Sequence, residues 1–414
     1  MRVLYSHYLT EAHHPAAKMV QAISERLRTL GHEVIVHGSD GPWNTSIGEL
    51  SSNNAGKRKN FLSRLKTRLW FGRGIATNFS SLKKDLAAVQ AARPDVILCR
   101  SDPYRFSMHW AARKLGVPLV TYVDAPAAYE CRGFSSDRWH PPGLLEAIEK
   151  WGLKQSRAAI TISHPAKTIL DNYGTKVPVH AVSNGVELSH FAIPSDEQIR
   201  EQRQKLGITT PNVAGFLGTF QRFHGVALLA DLIEATTERE DLSWLLIGSG
   251  PELPRLKQAA QKNPRVIFTG RQAPEEAAKY LSLMDVMVAP HARQLKHFYF
   301  CPLKILESMA AGAVCLASDQ GDIPLILDHG DAGRLVSTNN LPDWKAGLYE
   351  LFDHPAMRTI IRQNARRRLV EEYTWEATAS RVAKILESTL TAEAIRSEPP
   401  PAVDLLEAKL WCVT

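Results

Sequence analysis

Short apolar runs alternate along most of this chain with stretches whose apolar residues recur at helical spacing. That alternation predicts strands joined by crossover helices, hence parallel sheets with right-handed connections. Strand candidates in the first half are Val3–Tyr5, Val34–His37, Val96–Cys99, Leu119–Val123, Ala159–Ile162 and Val179–Val182. A second series follows at Val213–Leu217, Trp244–Ile247, Val266–Thr269, Val286–Ala289 and Ala313–Ala317. Between them runs a polar stretch, 192–211, with Pro194 and Pro211, which reads as a linker with a short helix. The pattern predicts two doubly wound α/β domains, 1–191 and 212–374, facing each other across a cleft with ligands at the carboxyl ends of the strands. Thr374 is placed to cap a final helix, Trp375–Leu390. The remainder, 391–414, reads as a tail.

Composition narrows the picture only a little. A chain of 414 residues exceeds one ordinary core, which favours two domains. With 44% hydrophobic and 22% charged residues it has the balance of a soluble globular protein. The formal charge of +7 suits an anionic ligand or a membrane surface and is too small to argue for nucleic acid. Cys99, Cys131, Cys301, Cys315 and Cys412 are scattered and odd in number, without a CxxC pair. Reduced thiols in a cytoplasmic protein are the simple expectation, not a disulfide framework or a zinc site. The chain opens directly on a strand, Arg2-Val-Leu-Tyr5, with no signal peptide expected. No apolar run approaches the roughly 18 residues of a membrane span.

The chemistry concentrates in Cys301-Pro-Leu-Lys-Ile-Leu-Glu307-Ser-Met-Ala-Ala-Gly312. Pro302 suits a first helical position, and Gly312 is placed to end the helix. Free N–H groups around Leu303 and Lys304 favour a phosphate, with Lys304 either a phosphate cation or a solvated helix lysine. Glu307, more than a turn further in, can accept hydrogen bonds from a ribose or sugar hydroxyl; a solvated carboxylate is the alternative. Two other strands end on glycines, Gly218 before Thr219 and Gly248 before Ser249-Gly250-Pro251. Glycine there lets backbone amides approach an anion closely, although a tight turn alone would explain it. Asp124-Ala-Pro126, followed by Glu130, ends a further strand and is either a polar site group or a turn.

Taken in order, these motifs resemble the retaining, GT-B-fold glycosyltransferases of the family-4 type (glycosyl transferases group 1), over most of the chain to about residue 390. The resemblance implies a nucleotide-sugar donor held by the helix that Pro302 opens, with UDP or GDP as the base-bearing part. It implies donor contacts at Gly218, Thr219, Arg222, His224, Gly248, Gly270, Arg271, Tyr299, Pro302, Leu303, Lys304 and Glu307, with Asp124 and Glu307 as the catalytic pair. It also implies that the terminal helix packs back on the first domain. Three positions depart from the family pattern. Thr219 and His224 stand where an arginine and a lysine usually clamp the diphosphate, leaving Arg222 to supply charge from a shifted place. Tyr299, eight residues before Glu307, replaces a second glutamate.

On the acceptor side the family's usual glycines are absent from the first loop, so His13 and His14 either shape the acceptor pocket with Glu130 or face solvent. No Asp-x-Asp motif occurs, so neither a metal nor another cofactor is expected. Residues 57–73 carry seven basic and no acidic side chains, with Phe61, Leu62, Leu65 and Leu69 on one helical face. That segment is either a peripheral contact to an anionic membrane at its inner face or an ordinary packed helix. The leading expectation is sugar transfer with retention to an unidentified acceptor. The alternative is a GT-B protein that has lost catalysis and binds nucleotide-sugar as a scaffold partner.

Overall fold

The computed structural model describes residues 1–8, 15–38, 61–134, 142–191, 194–292, 298–337 and 339–393, without the side chains of 15, 61–73, 134 and 391–393. His13, His14 and residues 57–60 therefore lie outside the described residues, as does the tail from 394. The first half holds β1 (Arg2–His7), β2 (Glu33–Gly38), β3 (Val96–Arg100), β4 (Leu119–Val123), β5 (Ala158–Thr161) and β6 (Val179–Ala181). The second holds β7 (Asn212–Gly218), β8 (Leu242–Gly248), β9 (Val266–Gly270), β10 (Val286–Ala289), β11 (Val314–Ser318) and β12 (Arg334–Val336). They form two six-stranded sheets, ordered β2-β1-β3-β4-β5-β6 and β12-β11-β10-β7-β8-β9. Neighbouring strands pair in parallel throughout, from β1 on β2 to β8 on β9. With helices on both faces, this is the GT-B arrangement that the apolar pattern predicted.

The central strands are buried along their whole length because helices cover both sides, which is why they read as unbroken apolar runs. Each sheet reverses its winding once, between β1 and β3 in the first and between β7 and β10 in the second. Such a reversal opens a crevice at the carboxyl ends of the two diverging strands, the place where doubly wound sheets take ligands. β12 escapes the sequence pattern because it is an edge strand of three residues that opens on an exposed arginine.

Pro302 differs from expectation by one position. Its ψ of 87° is too extended for a helix, so it stands as the N-cap of helix Leu303–Ala311. Gly312 ends that helix in the left-handed conformation at φ 84°. Ser195 caps the linker helix Asp196–Lys205 with a reciprocal capping box to Gln198. The final helix, Trp375–Glu393, is entered through Thr374, whose hydroxyl oxygen accepts the Ala377 N–H at 3.2 Å. Val382 and Leu386 on it join Val3, Tyr5 and Ile160 in the core of the first sheet. Arg26 ties it further, donating to Glu376 at 3.1 Å and also to Glu187. Where the chain crosses back, Gly185 has no room for a side chain: a Cβ would lie 2.3 Å from the Trp375 nitrogen.

Candidate active site

The crevice between β7 and β10 is assembled by glycines. A Cβ on Gly225 would sit 1.5 Å from the Pro290 carbonyl oxygen, and its φ of 72° disfavours any other residue. That contact brings the turn Arg222–His224 against the end of β10. A Cβ on Gly248 would meet the Gly218 carbonyl at 1.9 Å, and one on Gly250 would meet that of Thr219 at 1.7 Å. The ends of β7 and β8 are thus drawn together. Into this space the helix Leu303–Ala311 points its N-terminus, with no side-chain cap. Lys304 Nζ lies 4.4 Å from the centre of the Phe216 ring and would be 3.1 Å from a Cβ on Gly218. Among the described residues this buried ammonium has no hydrogen-bond partner. Burial lowers its pKa to about 7, against the opposing pull of Glu307. Glu307 is pushed up by its own burial and held down by Lys304 and by Lys18, which reaches it from helix Pro15–Thr29 of the first half.

The first sheet presents its own reversal to the same cleft. Arg100 ends β3 and is buried, donating from Nη2 to Asp124 at 2.8 Å and from Nη1 to Asp102. His7 ends β1; burial lowers its pKa, and repulsion from Arg100 adds to the effect. The hydroxyls of Tyr5, Ser6 and Tyr122 are buried there without partners among the described residues. Among the contacts that span the cleft, the Tyr299 hydroxyl donates to the Glu130 carboxylate on helix Ala127–Phe134. Burial raises Glu130 to about 7 despite that bond, with Asp124 adding to the rise. Behind it, the Ser163 hydroxyl donates to the Tyr299 carbonyl at 2.6 Å. Among the described residues no group of three His, Cys, Asp or Glu side chains is arranged to hold a metal ion. No described helix is long and apolar enough to cross a membrane.

Comparison with known proteins bears on both halves. The family described as Glycosyltransferase Family 4 matches residues 16–190, and the one described as Glycosyl transferases group 1 matches 211–354. The chain belongs to the family-4 glycosyltransferases. It is 25% identical to a D-inositol 3-phosphate glycosyltransferase of Corynebacterium jeikeium over 77% of this chain and 81% of that one. An alpha-monoglucosyldiacylglycerol synthase of Streptococcus pneumoniae is 26% identical, over 50% of this chain and 48% of its own length. The Anabaena protein HepE, solved in complex with UDP-glucose, shares the fold with a TM-score of 0.65 at 15% identity, covering 94% of this chain and 100% of that one.

Within this glycosyltransferase, Gly218, His224, Gly248, Leu303, Lys304 and Glu307 gather at the second sheet's reversal. Other sequence-predicted residues do not join them. Arg222 is 79% exposed and donates to Glu252 at 3.0 Å, so it turns away from Lys304. Thr219 is exposed, and Gly270 ends the edge strand β9, two strands from β7, with Arg271 just beyond it. Asp124, Glu130 and Tyr299 form a separate group at the first sheet's end of the cleft. Sequence reasoning missed His291, Arg100 and Lys18. His291 directly follows β10 and Pro290, and its ring lies 6.1 Å from that of His224. A polar residue just beyond a buried strand is the one signal that could have singled it out.

Proposed function

We propose that this glycosyltransferase moves a hexose from a nucleotide-sugar donor to an acceptor hydroxyl or amine with retention of anomeric configuration. What carries the reading is the crevice between β7 and β10, where an uncapped helix start, an unpartnered buried lysine and the carboxylate of Glu307 converge. A diphosphate would lie against the N–H groups of Leu303 and Lys304, where the helix dipole and the ammonium favour anionic oxygen. Glu307, five residues into the helix, would accept hydrogen bonds from the ribose or the sugar. UDP and GDP are the leading bases.

Retention asks for no strong base in this arrangement. As the bond from the anomeric carbon to the phosphate oxygen breaks, that oxygen takes the acceptor's proton, and the acceptor oxygen bonds the same face of the sugar. The protein's share is positioning and stabilisation of the leaving group's charge. Lys304 and the helix start serve the departing diphosphate, whereas Asp124, held by Arg100, supplies negative charge facing the anomeric carbon. No metal is required in this scheme.

The acceptor would enter over the buried hydroxyls of Tyr5, Ser6 and Tyr122. A polyol, or a lipid with a polyol headgroup, suits that lining, and the name of the Corynebacterium relative contains a polyol, inositol. Docking of 57–73 on an anionic membrane at the cytoplasmic face would present a lipid acceptor; vesicle binding that does not weaken with salt would remove this part. A binding-only reading is favoured by one observation, the exposed Arg222 with Thr219 beside it, which leaves the usual pair of phosphate cations absent. Incubation with UDP- and GDP-hexoses and a polyol acceptor, followed by NMR of the product, separates these readings. A product with the donor's anomeric configuration supports retention; the opposite configuration overturns it. Binding without release of nucleoside diphosphate supports the scaffold reading.

A further inference from the structure

Three consecutive aromatic residues precede the helix Leu303–Ala311, and they pack in different directions. Phe298 joins the core of the second half. Phe300 stacks on Phe223 of the turn Arg222–His224, with ring centres 5.7 Å apart and planes inclined by 18°. Tyr299, between them, is fully buried against the first half, packed with Ala166 and Ile169 of helix His164–Asp171. The Tyr129 ring meets it edge-on at 5.8 Å. The Tyr299 hydroxyl donates to Glu130, and its carbonyl accepts the Ser163 hydroxyl. Two residues on, Cys301 Sγ lies 3.3 Å from Ser183 Oγ, also in the first half. Pro302 then caps the helix that carries Lys304 and Glu307. The start of that helix is therefore moored to the opposite half, and the mooring is no firmer than the hold on Glu130.

What holds Glu130 is the start of its own helix. It stands in the first turn of Ala127–Phe134, and the residue before that helix is Pro126, whose side chain cannot cap it. A helix start leaves its first N–H groups without intrahelical partners. Here a carboxylate from another element takes two of them. Glu149, on helix Pro142–Lys154, accepts the Ala127 N–H at 2.7 Å and the Ala128 N–H at 3.1 Å, one on each oxygen. The second oxygen also accepts the Tyr173 hydroxyl at 2.9 Å. Tyr173 in turn packs against the Tyr299 cluster, just beyond the helix that Ser163 caps by accepting the Ala166 N–H at 3.1 Å. The contacts close a ring that runs from Glu149 through Glu130, Tyr299, Ser163 and Tyr173 back to Glu149. We propose that Glu149 is a positioning residue for the donor site. Acting through the helix that bears Glu130, and through Glu130 on Tyr299, it sets from the first half where the helix Leu303–Ala311 begins. This rests on the donor-site reading above and deepens it, because it puts one determinant of donor affinity in the half that does not hold the donor. All three hydrogen-bond partners of Glu149 lie in that half.

A double-mutant cycle on donor affinity tests this. Calorimetric titration with UDP-glucose and GDP-mannose would compare the full chain with Glu149→Ala, Tyr299→Phe and the two combined. Each single variant should weaken binding about fivefold, whereas Glu149→Ala made in Tyr299→Phe should change it by less than about twofold, because the route is already cut. A purely structural role for Glu149 would lower the thermal midpoint and leave donor affinity where it was. Glu149→Gln keeps the size of the side chain but turns one acceptor oxygen into a donor, so its loss should show the same dependence on Tyr299. That variant carries the cycle if Glu149→Ala does not fold. Unchanged donor affinity in the Glu149 variants, or an equal loss with and without the Tyr299 hydroxyl, overturns the positioning role and leaves the donor site standing. If the parent protein binds neither nucleotide-sugar, the donor-site reading falls and the positioning role with it.

Discussion

At the scale of single residues, the site separates groups that face a ligand from groups that already have partners. Glu307→Ala should weaken nucleotide-sugar binding by about 1.5–3 kcal/mol if the carboxylate receives charge-assisted hydrogen bonds from a hydroxyl. Calorimetry that finds unchanged affinity would remove Glu307 from the site. Arg222→Ala, in contrast, should leave nucleoside diphosphate affinity within about twofold, because this exposed guanidinium is engaged with Glu252 and surface pairs contribute little. A tenfold loss would bring it back into the phosphate clamp. Lys304 and Glu307 were legible in the sequence because a proline-opened helix ending on glycine places them locally, three residues apart. Arg100, Lys18 and His291 were not, because only proximity across strands and across the cleft brings them to the candidate site. Tyr299 shows the limit from the other side: the sequence revealed a missing carboxylate, but not that its hydroxyl bonds Glu130 from the opposite half.

At the scale of elements, most strands were legible because both sheet faces are covered, which writes the strands as short apolar runs. Leu119–Val123 and Val286–Ala289 kept their bounds and the others moved by a residue or two, whereas β12 stayed hidden because three residues opening on an exposed arginine carry no periodicity. Strand order was beyond reach, since nothing local says that β7 pairs with β10, and the crevice depends on that pairing. The glycines that close the crevice make a direct test. Gly225→Ala must fit a Cβ against the Pro290 carbonyl at 1.5 Å while holding φ at 72°. Destabilisation by roughly 1–3 kcal/mol or more is expected, read as a lowered urea midpoint at unchanged slope. An unchanged midpoint would mean that the turn relaxes and that His224 is not held where the structure places it.

At the scale of the whole molecule, the two halves meet through polar contacts as well as through the returning helix. The His164 N–H donates to Asp322 at 2.8 Å, and the Thr378 hydroxyl to the Ser183 carbonyl at 2.9 Å. The Tyr299–Glu130 bond lies deeper, and the burial of Glu130 there makes stability depend on pH. Glu130 is raised to about 7 in the folded protein, so its contribution is fully present below its ordinary range near 4.5 and is lost as pH rises through 7. Glu130→Gln keeps an acceptor for Tyr299 without the charge. Its thermal midpoint relative to the parent should therefore rise between pH 5 and pH 8. A difference that stays flat across that window would mean that Glu130 titrates normally and that the halves are more open in solution.

The central claim, that the reversal of the second sheet forms a working donor site, is tested most directly by one thermal-shift panel. The full chain and Lys304→Met would each be heated with UDP, GDP, ADP, CDP and dTDP. The predicted result is a clear rise for the parent protein with one of them and the loss of that rise in the variant. No rise with any nucleotide, or an equal rise in Lys304→Met, would contradict it.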